Sequence, residues 1–241
     1  MNSDLDKHLI AYEGRTQYDF DNDIMLKWYP QRIIKYTKKT DSVLELGLGH
    51  GFSVDIFSQY FKRHVVLEGS SAIIDNFKSR FPNCQAQIVK TYFEDYVSHK
   101  KFDVIVMGFI LEHVDKPFDI IRHYKKYLKA RGKMFMTVPN AEALNRRLGY
   151  LAGILPEMHI LSENDINLGH KRYYTVGSLK DEVKKSGFKI ERIEGLFLKP
   201  FTTQQLISLN LDKKIIGALC EVGVNYPELT CGILVQLKGI K

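Results

Sequence analysis

A chain of 241 residues, 44% hydrophobic and 26% charged, has the material for one large domain or a compact domain carrying an inserted cap, and no stretch has the composition of a disordered segment. No apolar run approaches the roughly 18 residues of a membrane span, and the opening "MNSDLDKHLIAYEG" puts acidic residues where a secretory signal carries basic ones, so a cytoplasmic protein with no membrane partner is expected. The formal charge of +7 favours anionic ligands, but the lysines and arginines are scattered and never interleave with aromatics as a base-stacking platform would, so a small-molecule substrate is expected rather than nucleic acid.

Residues 4–38 read as largely helical, with "LKWYPQRIIKYTKK" amphipathic enough to cover a sheet. Strands follow at 41–47, 63–69, 86–92, 102–108 and 132–139. Their near-continuous apolar runs suit a parallel sheet covered on both faces. Helical patterns fall between them at 51–61, 70–80 and 117–129, and such successive βα units predict a doubly wound α/β sheet with right-handed crossovers. From about 140 to 172 this rhythm breaks, giving one helix (141–152) and then a polar loop. Thr175 or Ser178 starts another helix that Gly187 ends, and a strand (188–197), a helix (203–221) and a last strand (229–239) close the chain. The division expected is a helical cover over 1–39, a cofactor-binding core over 40–140, a substrate cap over 141–172 and the rest of the core over 173–241. Cys84, Cys220 and Cys231 lack ligand spacing and read as reduced thiols in or near the core.

The stretch "SVLELGLGHGF" (42–52) carries the first chemical signal. Gly47, Gly49 and Gly51 sit where the first strand turns into a helix. Glycine allows positive φ and close approach of a ligand to the backbone, while the free amides of a helix start attract negative charge. A plain structural turn would also use them. The spacing is wrong for the G-x-G-x-x-G of dinucleotide enzymes, and no Gly-Lys-Ser/Thr follows as in a P-loop. Glu68 ends the second strand, where a carboxylate can accept from both hydroxyls of a ribose or simply be solvated. Glu45, inside the first strand, would be costly without partners, and such a carboxylate can take backbone donors or orient a cationic ligand.

"VLELGLGHG" with "VVLEG" downstream resembles the first two motifs of the class I methyltransferases that use S-adenosylmethionine, and "FDVIVMGFILEHVDKP" (102–117) resembles their ubiquinone-biosynthesis-like branch. The likeness extends over about 40–140, and more loosely over 170–190. It implies a Rossmann-like, doubly wound α/β fold with a seven-stranded, mostly parallel sheet and a cap insertion after strand 5. S-adenosyl-L-methionine is the implied cofactor. Carried over, Gly47, Leu48, Gly49, Gly51 and Phe52 form the loop, Glu45 supports the methionine end, and Glu68 with Gly69 takes the ribose. Tyr92 and Phe93 flank the adenine, with Glu94 or Asp95 at its edge, and Met107, Gly108 and Phe109 border the cofactor. The family often has an acidic residue where Tyr92 stands.

Transfer to a hydroxyl benefits from a base near the methyl group. His113 follows the fourth strand, and His159 and His170 lie in the cap, so these three are the catalytic candidates, with His170 first and structural roles the alternative for each. Spacing does not make His159, Asp165 and His170 a convincing metal site, and no metal is expected. Arg172 suits a carboxylate or phosphate, Arg146 and Arg147 could face an anion, and Tyr12, Tyr18 and Tyr173 are expected at the substrate pocket. The expected reaction is methylation of a hydroxyl on a sugar or related metabolite. An amino-sugar nitrogen or a quinone-like aromatic is the alternative acceptor, and homodimerisation is an open alternative.

Overall fold

A computed structural model describes residues 19–239; Tyr12 and Tyr18 lie outside the described residues. The sheet consists of β1 (Ser42–Leu46), β2 (Arg63–Glu68), β3 (Gln87–Lys90), β4 (Phe102–Gly108), β5 (Leu128–Pro139), β6 (Phe188–Gly195) and β7 (Gly232–Gly239). Their order is β3-β2-β1-β4-β5-β7-β6. Only β7 runs against its neighbours, pairing antiparallel with both β5 and β6. The sheet is therefore doubly wound and mostly parallel, as expected. All five residues of β1 are buried, which is why its sequence shows no alternation.

The helices are α1 (Asp19–Ile34), α2 (Phe52–Tyr60), α3 (Ser71–Arg80), α4 (Pro117–Lys125), α5 (Leu144–Leu151), α6 (Glu163–Asn167), α7 (Val176–Lys185), α8 (Thr203–Ser208) and α9 (Lys213–Gly223). Tyr29 and Ile33 of α1 and Phe57 of α2 pack on the sheet face that carries Val43, Val104, Val106 and Phe135. Ile120, Ile121 and Tyr124 of α4 and Leu179 and Val183 of α7 fill the other face with Leu44, Ile105, Met107, Met134 and Met136. A buried bidentate pair fixes α1 at the far edge of the sheet: Arg32 Nε donates to Glu194 Oε2 at 2.8 Å and Nη2 to Oε1 at 3.0 Å. Planar guanidinium and carboxylate match in that geometry.

Three local expectations are corrected. The helix expected over 203–221 is two, because Asn210 adopts φ 44 and the Asp212 side chain caps α9 by accepting from Lys214 N at 2.7 Å. α4 stops at Lys125, and Leu128, whose spacing suited the helix, opens β5. The polar loop after α5 contains α6, whose entry is built by Asp165 Oδ2 accepting from Ser162 N at 2.8 Å. At α7 both expected caps are used: Ser178 N donates to Thr175 Oγ1 at 3.0 Å, and Thr175 N to Ser178 Oγ at 2.9 Å, a capping box.

Candidate active site

The C-terminal ends of β1, β2, β4 and β5 open onto a cavity of about 820 Å³. It lies where strand order reverses between β1 and β4, the place where open α/β sheets take ligands. Gly47, Leu48, Gly49, Gly51, Phe52, Glu45, Glu68 and Phe93 line one end.

The three glycines serve different ends. All have positive φ, 81°, 47° and 84° in chain order. A Cβ on Gly51 would lie 2.6 Å from Phe81 Cε2 and 2.7 Å from Phe77 Cδ2, and one on Gly47 2.8 Å from Ile110 Cδ1. Those two let the turn pack against protein. A Cβ on Gly49 would meet nothing within 4 Å, so this position leaves space for a ligand. Gly51 caps α2 without a side-chain hydrogen bond.

Glu68 is nearly buried, and backbone amides hold its carboxylate: Leu48 N donates to Oε2 at 3.1 Å and Ser70 N to Oε1 at 2.8 Å. Each carboxylate oxygen can accept a further bond. Glu45 is satisfied by side chains rather than by the backbone, accepting from Ser53 Oγ at 2.6 Å and lying 2.8 Å from His64 Nε2. Burial, then the Glu45 charge, pushes the neighbouring Tyr29 phenol well above its ordinary pKa. Phe109, with φ 55, turns the chain out of β4 along the cavity wall while its amide donates to Thr137 O and Oγ1, each at 3.0 Å.

Not every residue expected near the cofactor borders this space. Met107 is fully buried in the core beneath it, and its neighbours Gly108, Phe109 and Ile110 provide the lining instead. Gly69 and the exposed Tyr92 are outside the lining, leaving Phe93 as the ring at that wall. His50, which the motif spacing did not single out, lines the cavity and lies parallel to Phe52 at 6.4 Å. Burial, then the Arg80 charge, lowers its pKa to about 4, so it is neutral near pH 7.

The other end combines Glu112, His113 and His170 with Asn140, Asn145, Arg146, Asp165, Tyr173, Lys199 and Thr203. The chain brings His170 to His113 through a backbone bond, Lys171 N to Glu112 O at 2.7 Å, and their rings meet edge-on at 4.7 Å. His159 is exposed and outside the lining. Arg172 is also outside it: its guanidinium donates to the carbonyls of Leu111 at 3.3 Å, Val114 at 2.7 Å and Asp115 at 3.2 Å. Rather than meeting an acceptor, it clamps the cap to the loop after β4. Arg146 of α5 ties the cap together internally, donating to Met158 O at 2.8 Å and Ile160 O at 2.7 Å, and Arg147 pairs with Glu142.

Two groups at this end were not legible as a pair in the sequence. Glu112 is fully buried, neither carboxylate oxygen has a hydrogen-bond partner among the described residues, and burial pushes its pKa up to about 7 against the pull of His170. Asp165 is the opposite case: burial raises it, but His170, Ser162 and Tyr173 together hold it well below the usual carboxylate range. Its Oδ1 is 3.3 Å from His170 Nδ1, close enough for attraction although not aligned as a hydrogen bond. Tyr173 donates to its Oδ2 at 2.6 Å.

The profile of the methyltransferase-domain family matches residues 22–193, well over half of the chain. Among solved structures the chain is similar to a possible histamine N-methyltransferase of Thermotoga maritima (15% identity, 98% of each chain, TM-score 0.64). It is also similar to the N-methyltransferase NodS of Bradyrhizobium japonicum bound to S-adenosyl-L-homocysteine (12% identity, 98% of this chain and 97% of that one, TM-score 0.60). A Mesorhizobium loti S-adenosylmethionine-dependent methyltransferase aligns at 15% identity over 89% of this chain and 98% of its own, with TM-score 0.60. No curated protein matches the chain in sequence, and identities this low establish shared fold alone. With the motif run, the strand order and the family match in agreement, the chain belongs to the methyltransferase-domain family and is an S-adenosylmethionine-dependent methyltransferase.

Proposed function

We propose that this enzyme methylates a hydroxyl of a small polar molecule, a sugar or related metabolite, within the cavity above β1 and β4. The observation that carries this reading is the continuity of the cavity from the glycine turn and Glu68 to a polar far end lined with Asn145, Ser162, Tyr173, Thr202 and Thr203. S-adenosylmethionine supplies an electrophilic methyl group on a sulfonium. The chain's residues fit such a group: Gly49 leaves space above the turn, Glu68 presents an oriented carboxylate for two ribose hydroxyls, and Phe93 offers a ring to the adenine. Glu45 supports the loop from below through Ser53.

Residues 141–172, clamped by Arg146 and Arg172, act as the acceptor cap that excludes water. Orientation of the hydroxyl toward the methyl carbon contributes much of the rate in such a displacement. Its activation is the work of the Glu112–His113–His170 cluster, ahead of His159, which lies on the surface. A nitrogen acceptor is the second reading. It is favoured by the carboxylates of Glu112 and Asp165 at the acceptor end, which would hold an ammonium group before it loses its proton. A quinone-like acceptor finds less support in so polar a lining.

The test is a methyl-transfer screen with labelled cofactor against sugar nucleotides, amino sugars, quinone precursors and RNA. Labelled sugar ethers support the proposal. Exclusive labelling of amines replaces it with the second reading, and strongly salt-dependent RNA labelling overturns both.

A further inference from the structure

Of everything outside the cofactor end, the loop after β4 holds the strongest unexplained feature. Glu112 has no solvent exposure and neither carboxylate oxygen meets a donor among the described residues, although it borders a cavity. A carboxylate removed from water needs a cation or a set of donors. Beside it stand His113 and His170, and one ligand atom from each of the three residues lies within 4.8 Å of the others. Among the described residues this is the group able to hold a metal ion.

We propose that Glu112, His113 and His170 bind a divalent transition-metal ion at the acceptor end of the cavity. Ligand atoms about 2.1 Å from a shared ion stand roughly 3.0–3.4 Å apart, so side-chain atoms up to 4.8 Å apart need to close by at most about 1.4–1.8 Å. Two imidazoles and one carboxylate form a donor set suited to zinc, manganese, iron or cobalt, and leave coordination positions open on the cavity side. The surroundings carry the support such a site requires. Asp165 flanks the His170 ring at 3.3 Å, where a small turn of the ring would let it hold the tautomer, as carboxylates beside ligating histidines do. Ser162 and Tyr173 in turn hold Asp165. Glu112 and Asp165 together offset a charge of two. The cap's attachments, Lys171 N to Glu112 O and Arg172 to the carbonyls of Leu111, Val114 and Asp115, fix a ligand 57 residues downstream against the other two.

This trio differs from the one that spacing brings to mind. His159 faces solvent, and Asp165 acts beside the cluster rather than in it. The ion's role rests on the proposed hydroxyl acceptor: an oxygen bound to it gives up its proton to a water more readily, its freed electron pair forms the new bond to the methyl carbon, and the carbon–sulfur bond breaks with its electron pair left on sulfur, so that S-adenosylhomocysteine departs. Binding of the ion itself is measurable without turnover.

The full chain, stripped with chelator, is titrated with cobalt(II), manganese(II) and zinc(II), following the visible spectrum of cobalt and metal content after dialysis. One equivalent per chain is expected, with a cobalt spectrum of nitrogen and oxygen ligation. Glu112→Gln and His113→Asn each weaken it at least tenfold, while His159→Asn leaves it unchanged. Circular dichroism identifies a variant that fails to fold, in which case the other carries the test. Affinity for S-adenosylhomocysteine is measured in chelator alongside. If that product binds but none of the three metals does, or if the substitutions leave metal affinity intact, the metal site is overturned and the methyltransferase reading stands. If the product does not bind, the cofactor assignment fails independently of the metal.

Discussion

Glu68→Ala tests the cofactor end most directly, because two different consequences follow from one carboxylate. The side chain accepts from Leu48 N and Ser70 N, and it faces the cavity. Two charge-assisted hydrogen bonds to ribose hydroxyls contribute about 1.5–3 kcal/mol each, part of which water recovers in an open site. A net loss of about 2–4 kcal/mol is expected, which corresponds to a dissociation constant for S-adenosylhomocysteine raised ~30–1000-fold. Orphaning the two amides also lowers stability by about 1–3 kcal/mol for each that water cannot reach. Calorimetry below the melting transition separates the effects, since a small unfolded fraction alters stoichiometry rather than affinity. The 2′-deoxy product provides the second leg of a double-mutant cycle: removing that hydroxyl should cost the wild type about tenfold or more and Glu68→Ala almost nothing. Equal losses on both proteins, or Glu68→Ala binding within threefold of wild type, would refute the ribose assignment.

Gly49→Ala and Gly51→Ala should part company. At Gly51 the new Cβ strikes the Phe77 and Phe81 rings at positive φ, so overpacking and backbone strain together cost about 2–5 kcal/mol, read as a lower denaturation midpoint. At Gly49 only the backbone term of about 1–2 kcal/mol applies, and the loss should appear mainly in cofactor affinity. A larger stability loss at Gly49 than at Gly51 would contradict this assignment of roles. Asp103 gives a pH prediction. Burial raises its pKa, but Lys129 and both donors of Ser42 outweigh that and leave it below its ordinary value. Its contribution to stability is therefore complete above the unfolded carboxylate value of about 3.9 and is lost as pH falls through the lower folded value. The difference in melting temperature between wild type and Asp103→Asn should be constant from pH 7 to 5 and shrink below about pH 4; a difference that grows in acid would show the sign to be wrong.

Much of the sheet was legible because a strand covered on both faces leaves a run such as "SVLEL" or "FDVIVMG", and because glycines mark where β1 ends. Legibility failed where the deciding partner is distant in the chain. Nothing local to Glu45 shows that His64 and Ser53 will occupy its oxygens. Lys199, which donates to Asp21 and Thr203 inside the cavity, sits in a stretch with no motif, and its carboxylate partner is 178 residues away. The single helix expected over 203–221 rested on apolar spacing. That spacing persists across the break, whereas the reversal at Asn210 and the cap at Asp212 are short-range features. Tyr92 and Phe93 show the limit of register, since a one-residue step decides which ring meets the cavity. Glu112 was visible as part of a family segment, but its lack of donors among the described residues is a property of the packed structure.

The excess positive charge also turns out to say little about the acceptor. Each cation brought to the acceptor end is engaged within the protein: Arg146 with the carbonyls of Met158 and Ile160, Lys199 with Asp21, and Lys171 with Asp115. Arg172, the residue best suited to bind an acidic substrate, stands behind the cavity wall with its donors on carbonyls. Breaking such contacts to receive a phosphate would undo the attachment that brings His170 to Glu112 and His113. The side chains left to face a ligand there are carboxylates, imidazoles, amides and hydroxyls, which suit neutral polar groups or cations better than anions. An acceptor hydroxyl near Glu112 thus gains nothing from the net charge of +7. On the proposed reading, activation of that hydroxyl falls to the three side chains that the fold gathers from the loop after β4 and from the cap.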